Sequence, residues 1–182
     1  MKNWIALFRG INVGGHHILP MKGLRTILEN LGCHDVATYI QSGNVVFRHA
    51  SSDATSLEAA ISSAVAESRG FEPRVLLFSV NEFTRCVKEN PFGLAEAESK
   101  SLHIWFLTAP AEAPNIEKMN SLKAGSEEYA MTGNAFYLFA PDGIGRSKLA
   151  ASVEKLLGVP ATARNSRTAS KICEMATKMV VD

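Results

Sequence analysis

Only three cysteines occur in the 182 residues, Cys33, Cys86 and Cys173, and no two of them form a C-x-x-C pair. An odd, scattered set excludes a disulfide framework and fits reduced thiols in a cytosol. An excess of one charge is also missing, since 19 Lys and Arg against 18 Asp and Glu leave a formal net charge of +1. With 46% apolar residues, that balance excludes a disordered chain. It also argues against a histone-like protein that holds nucleic acid by bulk charge. No apolar run approaches the roughly 18 residues that a membrane span needs. The opening MKNWIALFRGINVGG has too short an apolar stretch for a secretory signal and no small-residue cleavage site. The expected location is the cytoplasm, with no membrane partner.

Familiar catalytic patterns are missing as well. There is no H-E-x-x-H and no G-x-S-x-G. Of the five histidines, His16 and His17 are adjacent, so in extended chain they point opposite ways and make a poor metal pair. A surface or tag-like role suits them better. Asp35, Asp53 and Asp142 show no spacing that would converge two carboxylates. No metal and no cofactor is called for, and no catalytic residue can be named.

What is present is one pattern written twice. Asn3 to Phe8 is a short apolar run, which predicts a buried strand ended by Gly10. Met21, Leu24, Leu28 and Leu31 recur at helical spacing before Gly32, a helix with a glycine stop. Val36–Ile40 and Val45–Phe47 predict two strands around Ser42-Gly43-Asn44. Thr55-x-x-Glu58 suggests a capping box for a helix carrying Leu57, Ile61 and Val65, and Arg74–Ser79 a further strand. A linking helix, Asn81–Glu89, is stopped by Asn90-Pro91 and followed by a Glu- and Ser-rich stretch.

The pattern then restarts. Ser101–Leu107 predicts a strand, Asn115–Lys123 a helix, and Glu127–Thr132 with Ala135–Phe139 a hairpin. Ser147–Leu157 predicts a helix, Ala161–Arg164 a strand, and Arg167–Val180 a final helix. Both halves place a Gly-Asn pair in the hairpin, Gly43-Asn44 and Gly133-Asn134. The expected fold class is α+β, two tandem ferredoxin-like (βαββαβ) subdomains with a C-terminal helix. The expected division is 1–80, a helical linker 81–100, and 101–182. A single mixed sheet of eight strands is the competing arrangement. Trp105, Phe106 and Tyr137 fall among apolar strand residues, which favours core packing over a base-stacking platform.

In a β-α-β-β-α-β unit the first loop and the hairpin turn share one end of the sheet. That brings Arg9, Gly10, Asn12, Gly14 and Gly15 beside Gln41, Ser42, Gly43 and Asn44. Arg9 offers a planar fork for a carboxylate or phosphate, the amides of Asn12, Gln41 and Asn44 offer donors and acceptors, and the glycines allow close backbone approach. A plain turn is the first explanation for Gly43 and Asn44, and a structural ion pair remains open for Arg9. In the second half the same walk joins Gly143-Ile144-Gly145-Arg146-Ser147-Lys148 to Arg164-Asn165-Ser166-Arg167. Residues 143–178 hold seven basic residues against two acidic, whereas 82–128 hold five against eight, so near-neutrality hides an asymmetric charge distribution. Ser147 as an N-cap and Lys148 as a solvated first-turn residue are the bland alternatives, and 143–148 lacks the spacing of a nucleotide-binding phosphate loop.

At RGINVGG (9–15), QSGNVVF (41–47), GIGRSKL (143–149) and ATARNSRT (161–168), the chain resembles a bacterial family known only as domain of unknown function 1697. The resemblance implies two ferredoxin-like units in tandem and carries over no catalytic residue. It implies that Arg9, Gly10, Asn12, Gly14, Gly15, Gln41, Ser42, Gly43 and Asn44 match the family's first two motifs. Lys148, Thr162, Arg164, Asn165, Arg167 and Thr168 match the later ones. The chain departs at Ser166, where the family usually has an aromatic, and at His16 and His17, where Lys or another polar residue is common.

Together these features lead to the expectation of a cytosolic protein that binds a small phosphate- or carboxylate-bearing molecule in a cationic cleft between subdomains. Arg9, Asn12, Gly14, Gly15, Gln41, Ser42 and Asn44 would serve from one side, and Lys148, Arg164, Asn165 and Arg167 from the other. Nucleic acid is the alternative partner. Enzymatic action on a phosphorylated or carboxylate metabolite is the third reading.

Overall fold

The computed structural model describes residues 1–93 and 100–181. Among the described residues two four-stranded antiparallel sheets form, in place of a single sheet of eight strands. The chain divides into a first unit, residues 1–83 with 172–182, and a second, residues 84–171. The Glu- and Ser-rich stretch expected in the linker falls on 94–99, which lie outside the described residues.

The first unit contains β1 (Lys2–Arg9), α1 (Met21–Asn30), β2 (His34–Tyr39), β3 (Asn44–His49), α2 (Ala54–Arg69) and β4 (Arg74–Ser79). Its sheet order is β2-β3-β1-β4. The central strand β1 is apolar on both faces, so Trp4 to Phe8 are all buried. Alternation sends Trp4, Ala6 and Phe8 into a core with Leu24, Ile27 and Leu28 of α1 and Leu57, Ile61 and Val65 of α2. Gly32, at φ +81°, ends the turn after α1, where its N–H donates to Glu29 O and that of Cys33 to Leu28 O.

The expected capping box at Thr55 and Glu58 does not form. Asp53 is the N-cap of α2, its carboxylate accepting from Ser56 N at 3.2 Å. Glu58 lies one turn further on and reaches instead to edge strand β4, where it accepts from Leu77 N at 2.6 Å. A carboxylate thus occupies a backbone donor that a sheet edge would otherwise present to another chain.

The second unit contains most of α3 (Val80–Lys88), then β5 (Leu102–Leu107), α4 (Ile116–Leu122), β6 (Glu128–Met131) and β7 (Ala135–Phe139). A 3₁₀ turn (Ile144–Arg146), α5 (Lys148–Leu157) and β8 (Ala161–Asn165) follow, and α6 (Ser166–Val181) begins here but joins the first unit from Ile172. The sheet order is β6-β7-β5-β8. Trp105 and Leu107 pack with Phe136 and Leu138 against Met119, Leu149, Val153 and Leu157. On the other face Tyr137 is fully buried and its hydroxyl donates to Cys86 O of α3 at 2.7 Å.

The two Gly-Asn turns are not equivalent. In the first unit Phe8 N donates to Gly43 O, and in the second Leu107 N donates to Asn134 O. The structural counterpart of Gly43 is therefore Asn134, one residue out of step with the sequence match.

Candidate functional site

In the first unit the residues after β1 fold into a small hairpin of their own. Asn12 N donates to His17 O at 3.1 Å and His16 N to Val13 O at 3.0 Å. Gly14 and Gly15 form the tip at φ +59° and +78°, the paired positive values of a type I′ turn. His17 is exposed, as a surface role requires, but its ring is held in place. Its ring stacks on Phe71 at 4.6 Å, and its Nδ1 lies 2.9 Å from Gly10 O.

Asn12 joins this hairpin to the turn between β2 and β3. Its side-chain amide donates to Leu19 O at 2.9 Å and to Gln41 O at 2.8 Å, while its Oδ1 accepts from Leu19 N at 2.8 Å. Asn44 is buried and donates to Tyr39 O and Ser42 Oγ. At Gly43, with φ +72°, a Cβ would lie 2.5 Å from Phe8 Cβ and 2.6 Å from Ile11 Cδ1. Asn12, Gly43 and Asn44 thus build the platform, whereas Arg9, Gly14, Gly15, Gln41 and Ser42 are exposed on it.

Two features of this end were not read from the sequence. The β1–β4 register sets Arg9 directly opposite Arg74, so two guanidinium-bearing residues end neighbouring strands. Antiparallel pairing of the first and last strands would have revealed this. Val13, Ile18 and Ile40 are exposed by 68%, 56% and 50%, and each is the chain neighbour of a residue in the Asn12 clamp. Ile40 also has φ +50°, a costly conformation for a β-branched residue.

In the second unit, Ser147 is buried and caps α5, its Oγ accepting from Ala150 N at 2.9 Å, and Lys148 opens the helix exposed to solvent. Asn165 Oδ1 accepts from Thr168 N at 2.8 Å across the β8–α6 junction, and Arg167 is exposed. Arg164 is half-buried and donates from Nη1 to Thr162 Oγ1 at 3.2 Å and Ala163 O at 2.7 Å. Burial pushes its guanidinium down to about 10, which still leaves it cationic at neutral pH.

His103 lies at the same end, opposite Asn165 in register and in phase with Trp105, whose ring is 6.3 Å away. Its Nδ1 is buried without a hydrogen-bond partner. Burial holds its pKa below the usual histidine value, against a smaller opposing effect of the Ser101 backbone, so the ring is neutral at pH 7. Strand alternation could have exposed this histidine as a polar residue on an apolar face. Among the described residues, no group of three His, Cys, Asp or Glu side chains could hold a metal ion.

No curated protein matches the chain. Among solved structures it is similar to the conserved bacterial protein SP0830 from Streptococcus pneumoniae, with 26% identity and a TM-score of 0.71. That match covers 96% of this chain and 98% of the other. The profile of the family described as Protein of unknown function (DUF1697) matches residues 1–137, which hold the Arg9–Gly15 and Gln41–Phe47 motifs but neither of the later two. The chain therefore belongs to the DUF1697 family.

Proposed function

We propose that this protein binds a small phosphate- or carboxylate-bearing molecule at the loop end of its first unit, with Arg9 and Arg74 as the charged contacts. The observation that carries the reading is their cross-strand pairing beside the clamped hairpin. Two guanidinium groups at neighbouring strand ends offer planar forks that match a phosphate or carboxylate. Gln41 and Ser42 add polar groups on the neighbouring turn. The apolar Val13, Ile18 and Ile40 favour a ligand with an uncharged body over bare phosphate. In the second unit, Lys148, Arg164 and Arg167 form a further cationic end that suits the same class of ligand.

Each unit is read as ferredoxin-like, on the support of its β-α-β-β-α-β order and the sheet orders β2-β3-β1-β4 and β6-β7-β5-β8. Cytoplasmic operation is supported by three free thiols, and no described helix is long and apolar enough to cross a membrane. A base-stacking function has less support, because Trp4, Phe8, Phe47, Trp105, Phe106 and Tyr137 are all buried.

The test is a thermal-shift series with inorganic phosphate, phenyl phosphate, citrate and short single-stranded oligonucleotides at low and moderate salt. A ligand at about 100 times its Kd adds roughly 2.7 kcal/mol. The expected result is a small-anion shift that survives moderate salt and is lost in Arg9→Ala and Arg74→Ala. Shifts produced only by oligonucleotides, fading with salt, would replace this reading with nucleic-acid binding.

A further inference from the structure

We propose that the first unit carries a second binding site, for a small apolar monocarboxylate, between strands β2 and β3 and the C-terminal half of α6. A cavity of about 340 Å³ lies there, lined by Asp35, Ala37, Val46, Arg48, Met175, Lys178 and Met179. It is separate from the loop end. Arg48 pairs in register with Asn3, six residues before Arg9 on β1, or about 20 Å along the strand at roughly 3.3 Å per residue.

The lining states the ligand's chemistry. Ala37 and Val46 give an apolar floor from the sheet, and Met175 and Met179 an apolar wall from the helix. Methionine side chains are flexible and polarizable, so such a wall closes on bodies of differing shape. The volume is near the low end of the roughly 300–1,000 Å³ usual for ligand pockets, which suits a small molecule and excludes a dinucleotide. Asp35 balances Arg48 and Glu174 balances Lys178, so the rim is neutral overall and presents one guanidinium fork, which suits one anionic head rather than several.

Geometry supports the carboxylate. Asp35 sits where the β2–β3 register shifts, at φ +51°, and its Oδ2 is held by both Nε and Nη2 of Arg48. One edge of the planar guanidinium is therefore fixed, which orients the remaining donors of the fork. Lys178 is steadied in turn by Glu174, at 2.8 Å one helical turn away. A rim oriented by ion pairs over an apolar floor and a methionine wall matches a molecule with one anionic head and an unbranched or aryl body.

Octanoate is the probe, with acetate supplying the head alone and 1-octanol the body alone. The readout is the NMR spectrum of the full chain labelled at its methionine methyl groups. Octanoate is expected to move the Met175 and Met179 resonances with a Kd on the order of 0.1–1 mM, at least about tenfold tighter than either partial probe. Ala37→Leu, which fills the floor, and Arg48→Gln, which removes the cation, should each abolish that preference, while Arg9→Ala leaves it intact. The proposal is overturned if octanoate leaves both methyl resonances in place. It is equally overturned if octanol matches octanoate, or if neither cavity variant weakens binding in a protein whose other resonances are unchanged.

Discussion

Gly43 is the position where the loop platform is most sensitive to one added carbon. Its φ of +72° is left-handed, and a Cβ there would meet Phe8 Cβ at 2.5 Å and Ile11 Cδ1 at 2.6 Å. The Ile11 contact involves the end of a side chain, which can rotate away. The Phe8 contact involves an atom fixed to the backbone of β1, and Phe8 N also donates to Gly43 O, so the strand itself must move. The left-handed conformation costs an alanine about 1 kcal/mol net, after the entropy gained in the unfolded chain. Overpacking adds about 2 kcal/mol. Gly15→Ala supplies the control, since Gly15 has φ +78° but a Cβ there would meet nothing within 4 Å.

At roughly 2–4 °C per kcal/mol for a chain of this size, Gly15→Ala should lower Tm by about 2–4 °C and Gly43→Ala by about 6–12 °C. Differential scanning calorimetry on the two variants measures both. Equal shifts would show that backbone conformation alone demands glycine at 43, and the close approach of the turn to β1 would be refuted.

Three further substitutions examine the same framework. Asn12→Ala removes three hydrogen bonds at once and should cost about 2–3 kcal/mol in denaturant unfolding, while raising amide exchange in both the 12–17 hairpin and the 40–43 turn. Exchange confined to the hairpin would mean that Asn12 does not join the two segments. Tyr137→Phe leaves the carbonyl of Cys86 without its hydroxyl donor and should cost about 1–2 kcal/mol, measured by urea titration. Cys33 is buried, and burial pushes its thiol up to about 11. At pH 8 only about one part in a thousand is thiolate, so a disulfide reagent should label Cys33 at the rate of unfolding, and rapid labelling in the native state would contradict its burial.

The helices and strands were legible because each buries one phase of a regular pattern. Leu57, Ile61 and Val65 define α2, and the unbroken run Trp4–Phe8 could only be a strand covered on both faces. Capping was harder to read. Thr55-x-x-Glu58 has the right spacing, but Asp53 two residues earlier is the better cap, and the Glu58 side chain was drawn to a backbone donor 19 residues away. The Gly-Asn repeat misled for a related reason, because composition does not reveal which residue's carbonyl completes the ladder. Motif residues were visible, but their division of labour was not. Asn12 looks like a ligand-binding amide until the positions of Leu19 and Gln41 are known. Arg74 gains meaning only through its register with Arg9. The apolar stripe of α6 shows that the helix packs, but its period does not show that Ile172 onward belongs to the first unit.

The two units also differ in how acid acts on them, and the signs are opposite. In the first, burial raises the pKa of Glu58 above its ordinary 4.5, against smaller opposing effects of the Leu77 N–H and Arg74. The fold therefore binds this proton more tightly than the unfolded chain does. The resulting stabilisation is fully present below about pH 4.5 and is lost as pH rises through the folded value. In the second unit, burial lowers the pKa of His103 below 6.5. Its contribution is present above pH 6.5 and is lost as pH falls through the folded value, because the unfolded chain then binds the proton more readily. Moving from pH 7 toward 4.5 should thus weaken β5 and its neighbours while Glu58 works to strengthen β4. Hydrogen exchange, corrected for intrinsic rates, should show protection in Leu102–Leu107 falling relative to Arg74–Ser79 over that range. His103→Leu should flatten the first trend and Glu58→Gln the second, since Gln keeps an acceptor for Leu77 N without a titrating proton. A parallel decline of both strands in the wild-type chain, unchanged by either substitution, would show that other groups govern acid sensitivity and that these two half-buried side chains are adequately solvated.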